Sequence, residues 1–210
     1  MFTFRSLRPA VVGLLVACAL TAAHAAQRQI AAGKRPRGIA AAPGGATLYV
    51  SDAAGNALLV LDTASGAILA TIALGKSPEG VSVSNDGRWL LVSAENAEQV
   101  DLVDVAARRE VGSIAVGMRP RGIGFGPDGT RAYVACEVAG AVYVLDLAER
   151  RAIATIAVGK NPAGIAVAPD GRRLYVANGR SDSVSVIDTV GASKVTDIPV
   201  GQLPWGVVIR

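Results

Sequence analysis

An all-β chain made of repeated four-stranded units is the fold class that three observations predict. The pattern G-x-x-P-x-G recurs at Gly33–Gly38, Gly75–Gly80, Gly117–Gly122, Gly159–Gly164 and Gly201–Gly206, with a spacing of 42 residues each time. Each interval holds four short segments of strand-forming residues separated by turn residues. No interval carries an apolar pattern of period 3.6. A repeat of this length and content predicts a β-propeller of four complete 42-residue repeats, 33–74, 75–116, 117–158 and 159–200, followed by a partial repeat at 201–210.

The fourth repeat shows the elements in order. Gly164–Ala168 is a short apolar strand, and Pro169-Asp170-Gly171 is a tight turn, because Pro fixes φ and Gly supplies a positive one. Leu174–Asn178 is rich in strand formers. Val184–Asp188 alternates, and a turn at 189–193 leads into Val195–Val200. Partial strands are expected at both ends: one near Arg28–Ala32, matching the last strand of a repeat, and one at Gly206–Arg210, matching the first. Together they would make half a blade, without its two middle strands. An open row of blades exposes sheet edges, which proteins normally avoid. Irregular closure, self-association between chains and descent from a longer relative all remain open.

Residues 1–25 read as a signal peptide and 26–210 as the propeller. Arg5 and Arg8 form a positive start, an apolar run follows from Ala10 to Ala23, and Ala23-His24-Ala25 is a small-x-small cleavage site. The run is short for a membrane span, so no transmembrane segment is expected. Leu15-Val16-Ala17-Cys18 offers an alternative, acylation at Cys18 as a lipid anchor. Either route leads to a periplasmic or extracellular location.

Composition narrows the chemistry. Apolar residues make up 51% of the 210 residues, too many for a disordered chain. The formal charge is +4; without the signal peptide, 19 basic face 17 acidic side chains, a net charge of +2. A near-neutral exported chain with no basic cluster is a poor nucleic-acid binder. The one His and one of the two Cys lie in the signal peptide. The mature chain therefore has no His for acid–base work, metal ligation or haem, and no Cys-x-x-Cys-His for haem attachment. No cofactor and no metal site is expected.

Leu174-Tyr175-Val176-Ala177-Asn178, then Val184-Ser185-Val186-Ile187-Asp188, with the G-x-x-P-x-G lead, resembles the YVTN family of β-propeller repeats. Tyr49-Val50-Ser51-Asp52 and Tyr133-Val134-Ala135-Cys136 are degenerate copies, and Leu91-Val92-Ser93-Ala94 is the most divergent. The resemblance spans residues 33–210. Pro204-Trp205-Gly206-Val207-Val208 is similar to the close of the group associated with quinoprotein (PQQ) alcohol catabolism. The resemblance implies an exported propeller, either a binding module accessory to periplasmic quinoprotein oxidation or a lactonase-like hydrolase. Such relatives usually close about seven blades, more than the four complete repeats here.

Repetition separates framework from function. Asp62, Asp104, Asp146 and Asp188 end the third strand of every repeat, and a carboxylate there braces the following turn as an Asx-turn. Gly122-Ile123-Gly124-Phe125-Gly126 opens no helix and so is no nucleotide loop. The lone Cys136 has no His to activate it and reads as an inert small residue.

Positions that vary between repeats are the candidates. Blade leads and the loops after the second strands emerge on one face of a propeller. The leads place Arg35, Arg37, Arg119, Arg121 and Trp205 there; the loops add Glu95, Glu137 and Asn178. The slots of the four arginines hold Ser77, Glu79, Asn161 and Ala163 in the other two repeats, so the fold does not demand arginine. The guanidinium fork suits carboxylates, and the expected partner is a protein or small anionic ligand. Replacing Arg37 and Arg121 together is expected to leave stability unchanged. The alternative is a hydrolase with an oxygen-ligated metal held by Glu95, Asn96, Glu98, Glu137 and Asn178, as Ca²⁺ accepts six to eight oxygens.

Overall fold

The computed structural model describes residues 29–209. The chain divides into two units, Met1–Ile30 and Ala31–Arg210, and the strands of the described residues lie in the second. The signal peptide expected over 1–25, with the acylation alternative at Cys18, lies outside the described residues.

Among the described residues there are sixteen strands and no helix, arranged as four antiparallel sheets, one per repeat. The first sheet holds β1 (Pro36–Ala41), β2 (Thr47–Asp52), β3 (Ala57–Asp62) and β4 (Ile68–Ala73). The second holds β5 (Pro78–Val83), β6 (Trp89–Ala94), β7 (Gln99–Asp104) and β8 (Arg109–Ala115). The third holds β9 (Pro120–Phe125), β10 (Arg131–Cys136), β11 (Ala141–Asp146) and β12 (Arg151–Ala157). The fourth holds β13 (Pro162–Val167), β14 (Arg173–Asn178), β15 (Ser183–Asp188) and β16 (Ser193–Pro199). Strand order within each sheet follows the sequence, as in a meander blade.

Alternate residues of each sheet face opposite ways, so every blade has two apolar faces. Tyr49, Leu58, Val60 and Ile72 of the first blade pack on Leu90, Val92 and Val103 of the second. Leu91, Leu102 and Ile114 then meet Val134, Cys136 and Leu145 of the third. Tyr133, Val142, Val144 and Ile156 meet Leu174, Val176 and Ile187 of the fourth. The outward face of the fourth blade has no such cover: Ile198 is 45% exposed, where Ile72, Ile114 and Ile156 in the same slot are at most 5% exposed.

The first strands β1, β5, β9 and β13 line up side by side, and the second glycine of each G-x-x-P-x-G lets them do so. A Cβ on Gly38, Gly80 or Gly122 would collide with the carbonyl oxygen of Glu79, Arg121 or Ala163 on the next blade. Serine staples reinforce the approach. Ser51 Oγ accepts from Gly38 N (2.8 Å) and donates to Glu79 O (2.5 Å); Ser93 does the same for Gly80 N (2.8 Å) and Arg121 O (2.6 Å).

Each lead also carries a register shift, between Pro36 and Ile39, Pro78 and Val81, Cys136 and Val134 opposite Pro120–Ile123, and Pro162 and Ile165. Such a bulge bends the strand and re-aims the extra residue. The bulge holds the x-G of P-x-G, two residues opposite one, and so includes Arg37, Glu79, Arg121 or Ala163.

The aspartates act as turn braces. Asp104 Oδ1 accepts from Ala107 N (2.8 Å), Asp146 Oδ1 from Glu149 N (2.9 Å) and Asp62 Oδ1 from Ser65 N (2.6 Å).

The partial end strands are corrected. Neither Gln29–Ala32 nor the stretch 205–209 is a strand. A strand needs a ladder, and Trp205 O has only the bond from Gly164 N (2.9 Å). The stretch nonetheless takes the next place in the row of first strands, with Gly206 Cα 2.7 Å from where a Cβ on Gly164 would sit.

These contacts make the second glycine a packing requirement. Gly122→Ala is expected to destabilise the chain by about 1–3 kcal/mol, measured by urea unfolding. Gly206→Ala, whose Cβ would meet nothing within 4 Å, is expected to leave stability unchanged. Equal effects from the two substitutions would contradict this reading of the inter-blade contact.

Candidate functional site

The bulges bring Arg37, Glu79 and Arg121 into one row, with Ala163 and then Trp205 continuing it. They line a shallow depression of about 220 Å³ whose floor is the glycine row Gly38, Gly80, Gly122, Gly164 and Gly206. The loops after β6 and β10 add Glu95 and Glu137, and the lead of the third blade adds Arg119.

Three arginines and three glutamates interlock there. Arg37 Nε donates to Glu79 Oε1 (2.9 Å). Arg121, 8% exposed, donates from Nε to Glu137 Oε2 (2.6 Å), and its Nη1 lies 3.1 Å from Glu79 and 3.5 Å from Glu95. Arg119 Nε donates to Glu95 Oε1 (2.7 Å), and its Nη1 lies 3.4 Å from Glu137. Asn161 Nδ2 donates to the other oxygen of Glu137 (2.9 Å). Despite its two close ion-pair contacts, Arg121 Nη1 is buried without a well-aligned hydrogen bond. The exposed Trp205 ring lies over this guanidinium, 6.0 Å from its centre.

Charge regulation follows from burial. Desolvation pushes the Glu79 carboxyl above its ordinary value, a hydrogen bond with Glu95 pushes the same way, and Arg121 and Arg37 only partly oppose them. Burial also opposes ionisation of Glu95, but hydrogen bonds from Arg119 and Glu79 outweigh it and hold Glu95 low. Glu79 is thus the proton carrier of the pair. Burial works against the charge of Arg121, yet Glu137, Glu95 and Glu79 keep it firmly protonated. When Glu79 holds its proton, three guanidinium groups face two carboxylates.

The structure thus gathers Arg37, Arg119, Arg121, Glu95, Glu137 and Trp205. Arg35 sits at the margin, its Nη2 3.3 Å from Ser77 Oγ. Asn178 lies apart, fully buried: Oδ1 accepts from Gly159 N (3.1 Å) and Nδ2 donates to Ser183 and Ser185. Asp52 occupies the same slot in the first blade and accepts from Lys34 N and Arg35 N (both 2.9 Å), so this position anchors the blade lead. Glu79 and Asn161 are the members that the sequence reading did not single out. The signal for Glu79 was present in the sequence, as an acid in the slot where both flanking repeats carry arginine.

The expectation that Arg37 and Arg121 are jointly dispensable for stability is corrected. Arg121 is buried among three carboxylates, and its loss strands them without a counter-charge. Among the described residues no group of three or more His, Cys, Asp or Glu side chains is arranged to hold a metal ion. The three glutamates turn toward arginine instead. Cys136 is fully buried between the second and third blades, which pushes its thiol up to about 12.

The raised Glu79 pKa stabilises the fold fully below the ordinary glutamate value, and this contribution is lost as pH rises through the raised value. Glu95, held low, has the opposite sense: its contribution is lost as pH falls through its own depressed value. Glu79→Gln retains the hydrogen-bonding shape of the protonated acid. Urea midpoints across pH should therefore lose the decline just above the ordinary glutamate range that the unmodified chain shows. An unaltered pH profile would refute the assignment of the proton to Glu79. For Cys136, a thiol reagent should modify the chain only after denaturant is added; rapid native labelling would contradict its burial.

Comparison with known proteins supports the propeller fold. A family model described as "Lactonase, 7-bladed beta-propeller" matches residues 106–201. The chain is similar to a solved structure of Kuenenia stuttgartiensis hydrazine synthase, at 28% identity and a TM-score of 0.73, covering 82% of this chain and 51% of that one. It is also similar in fold to a functionally unknown protein from Desulfotomaculum acetoxidans DSM 771. That likeness has 15% identity and a TM-score of 0.75, covering 83% of this chain and 59% of the other. The chain thus spans between half and three-fifths of the length of these structures. No curated protein matches it. Among the described residues, no helix is long and apolar enough to cross a membrane.

Proposed function

We propose that this chain is an exported propeller module that binds, without transforming, an acidic protein segment or small organic anion at the Arg–Glu depression. Its setting is the periplasm, as an accessory to quinoprotein alcohol oxidation. One observation carries the binding reading: the buried Arg121 guanidinium lies under the exposed ring of Trp205, with Nη1 lacking a well-aligned hydrogen bond. Nη1 itself is sealed from solvent, so Arg121 acts on a ligand through its charge rather than through a direct hydrogen bond. An exposed indole beside it gives the ligand an apolar or planar surface to lie on. Arg37, with its side chain 40% exposed, is the guanidinium of the depression that is open to a ligand.

A second reading is favoured by the lactonase family match over residues 106–201. In it, Glu95 takes a proton from a water that attacks a lactone carbonyl held against the arginines, and Glu79 gives its proton to the ring oxygen as the ring C–O bond breaks, yielding the hydroxy acid. The acid whose pKa is raised donates and the depressed one accepts, the division of labour that paired carboxylates commonly serve.

Three variants and two assays, ligand titration and lactone turnover, separate these readings. Trp205 fluorescence, followed in a Trp89→Phe background, is titrated with acidic peptides and small dicarboxylates at two salt concentrations. Binding should weaken with salt, and Arg37→Ala should reduce it about tenfold, equivalent to about 1.4 kcal/mol, with little change in Tm. Unchanged binding in Arg37→Ala by fluorescence, and in Trp205→Ala by titration calorimetry, would overturn the site. Turnover of a lactone that Glu79→Gln abolishes would replace binding with hydrolysis.

A further inference from the structure

We propose a second anion site, beside the depression and sharing Arg119, Glu137 and Asn161 with its ion-pair network, in the groove between the third and fourth blades, where Lys160 and Arg180 grip a carboxylate or phosphate group. The groove encloses about 710 Å³, and Lys160, Arg180, Arg119, Glu137, Val138 and Asn161 are among its lining.

The argument rests on comparing one slot across the repeats. In each blade the lead runs beside the loop after the second strand, joined by backbone hydrogen bonds. In the fourth blade Arg180 N donates to Lys160 O (3.0 Å), Gly179 N to Asn161 O (2.9 Å), and Lys160 N to Ser181 Oγ (2.7 Å). In the second blade the matching bond runs from Asn96 N to Lys76 O (3.2 Å). The paired residues are therefore Lys76 with Asn96, Met118 with Val138, and Lys160 with Arg180, while the first blade has Lys34 and Ala54 in these places. Only the fourth blade sets two cations against each other.

Lys160 and Arg180 lie in the lead and the turn rather than on paired strands, and both are exposed, so their mutual repulsion is modest and screened by salt. The other three blades show that the lead accepts neutral partners at no cost to its geometry. Nor does the protein supply a counter-charge: among the described residues, neither the Lys160 nor the Arg180 side chain makes an ion pair or hydrogen bond. The acid of the groove, Glu137, is committed to Arg121, Arg119 and Asn161. Two unpaired cations, one a compact ammonium and one a planar fork, face a cleft of ample size. An oxyanion fits that arrangement, and Val138 and Val158 on the walls suit one with a small apolar body.

The test uses the full chain after export, at constant ionic strength, with chloride as reference and citrate or inorganic phosphate as probe. Backbone amide shifts of Lys160, Asn161, Arg180 and Ser181 should move and saturate with one probe or both; citrate alone identifies a carboxylate site and phosphate alone a phosphate site. Arg180→Asn, which copies the Lys76–Asn96 pair, should weaken the binding about tenfold. The same variant should raise Tm slightly in low salt without probe, since it removes the repulsion. Shifts equal to those in chloride, or an Arg180→Asn variant that binds as before or melts lower, would overturn the site. Trp205→Ala should leave the groove titration unchanged, so failure of the depression and failure of the groove are distinguishable.

Discussion

The close approach of first strands is the constraint on which the rest of the structure depends. At Gly38, Gly80 and Gly122 the backbone of one blade comes so near the carbonyl of the next that no side chain fits between. That proximity sets the wedge angle at which the apolar faces meet, and three clusters of Leu, Val, Ile and Tyr fill the space behind it. The strand-to-strand distance is fixed by backbone atoms rather than by flexible side chains. The adjoining bulge residues are then held at a matching, short separation. Functional geometry here is thus a by-product of packing: a glycine brings the strands together, and the bulge it shares turns the preceding side chain into the resulting depression.

This explains why charges 42 residues apart in sequence pair with each other. Arg37 and Glu79 occupy identical slots in consecutive blades and meet at 2.9 Å. Glu79 and Arg121 do so again at 3.1 Å. Alternation of sign along the row satisfies each buried charge with its neighbours, as burial of ions requires. The row ends where Ala163 replaces a charge, so Arg121 has a charged row neighbour on one side only; Glu95 and Glu137 from the loops complete its compensation, and Trp205 lies beside it.

Much of the fold was legible from periodicity alone. The four sheets and the turn braces at Asp62, Asp104 and Asp146 follow from properties of single repeats, whereas the burial of Cys136 depends on the neighbouring blade. The end strands misled because strand propensity says nothing about whether a partner is available; Val207 and Val208 are good strand formers with one flanking neighbour. The candidate site was half legible. Residue identity showed which slots vary, and so pointed to Arg37, Arg121 and Trp205. It did not show that Glu79 and Glu137 would neutralise the arginines, because that depends on the distance between blades. Asn178 was drawn into the list by its loop position, whereas its amide serves the lead and the neighbouring serines.

Internal repetition also supplies a control that a single domain lacks. When four copies of one scaffold place Asp52, Ala94, Cys136 and Asn178 in a slot, the scaffold's tolerance is known without any homologue. Where polar residues in that slot bond the lead, they are framework, and where alanine replaces them, a neighbour takes over: Asp101 receives Gly75 N at 2.7 Å. A residue that is costly where its counterparts are not must draw its compensation from something other than the scaffold. The buried Arg121 finds most of its compensation inside the protein, in three carboxylates. Lys160 and Arg180 find none, and the two positions therefore differ in kind. Electrostatics buried within the row hold the blades together, whereas the two cations of the groove are exposed and left to solvent.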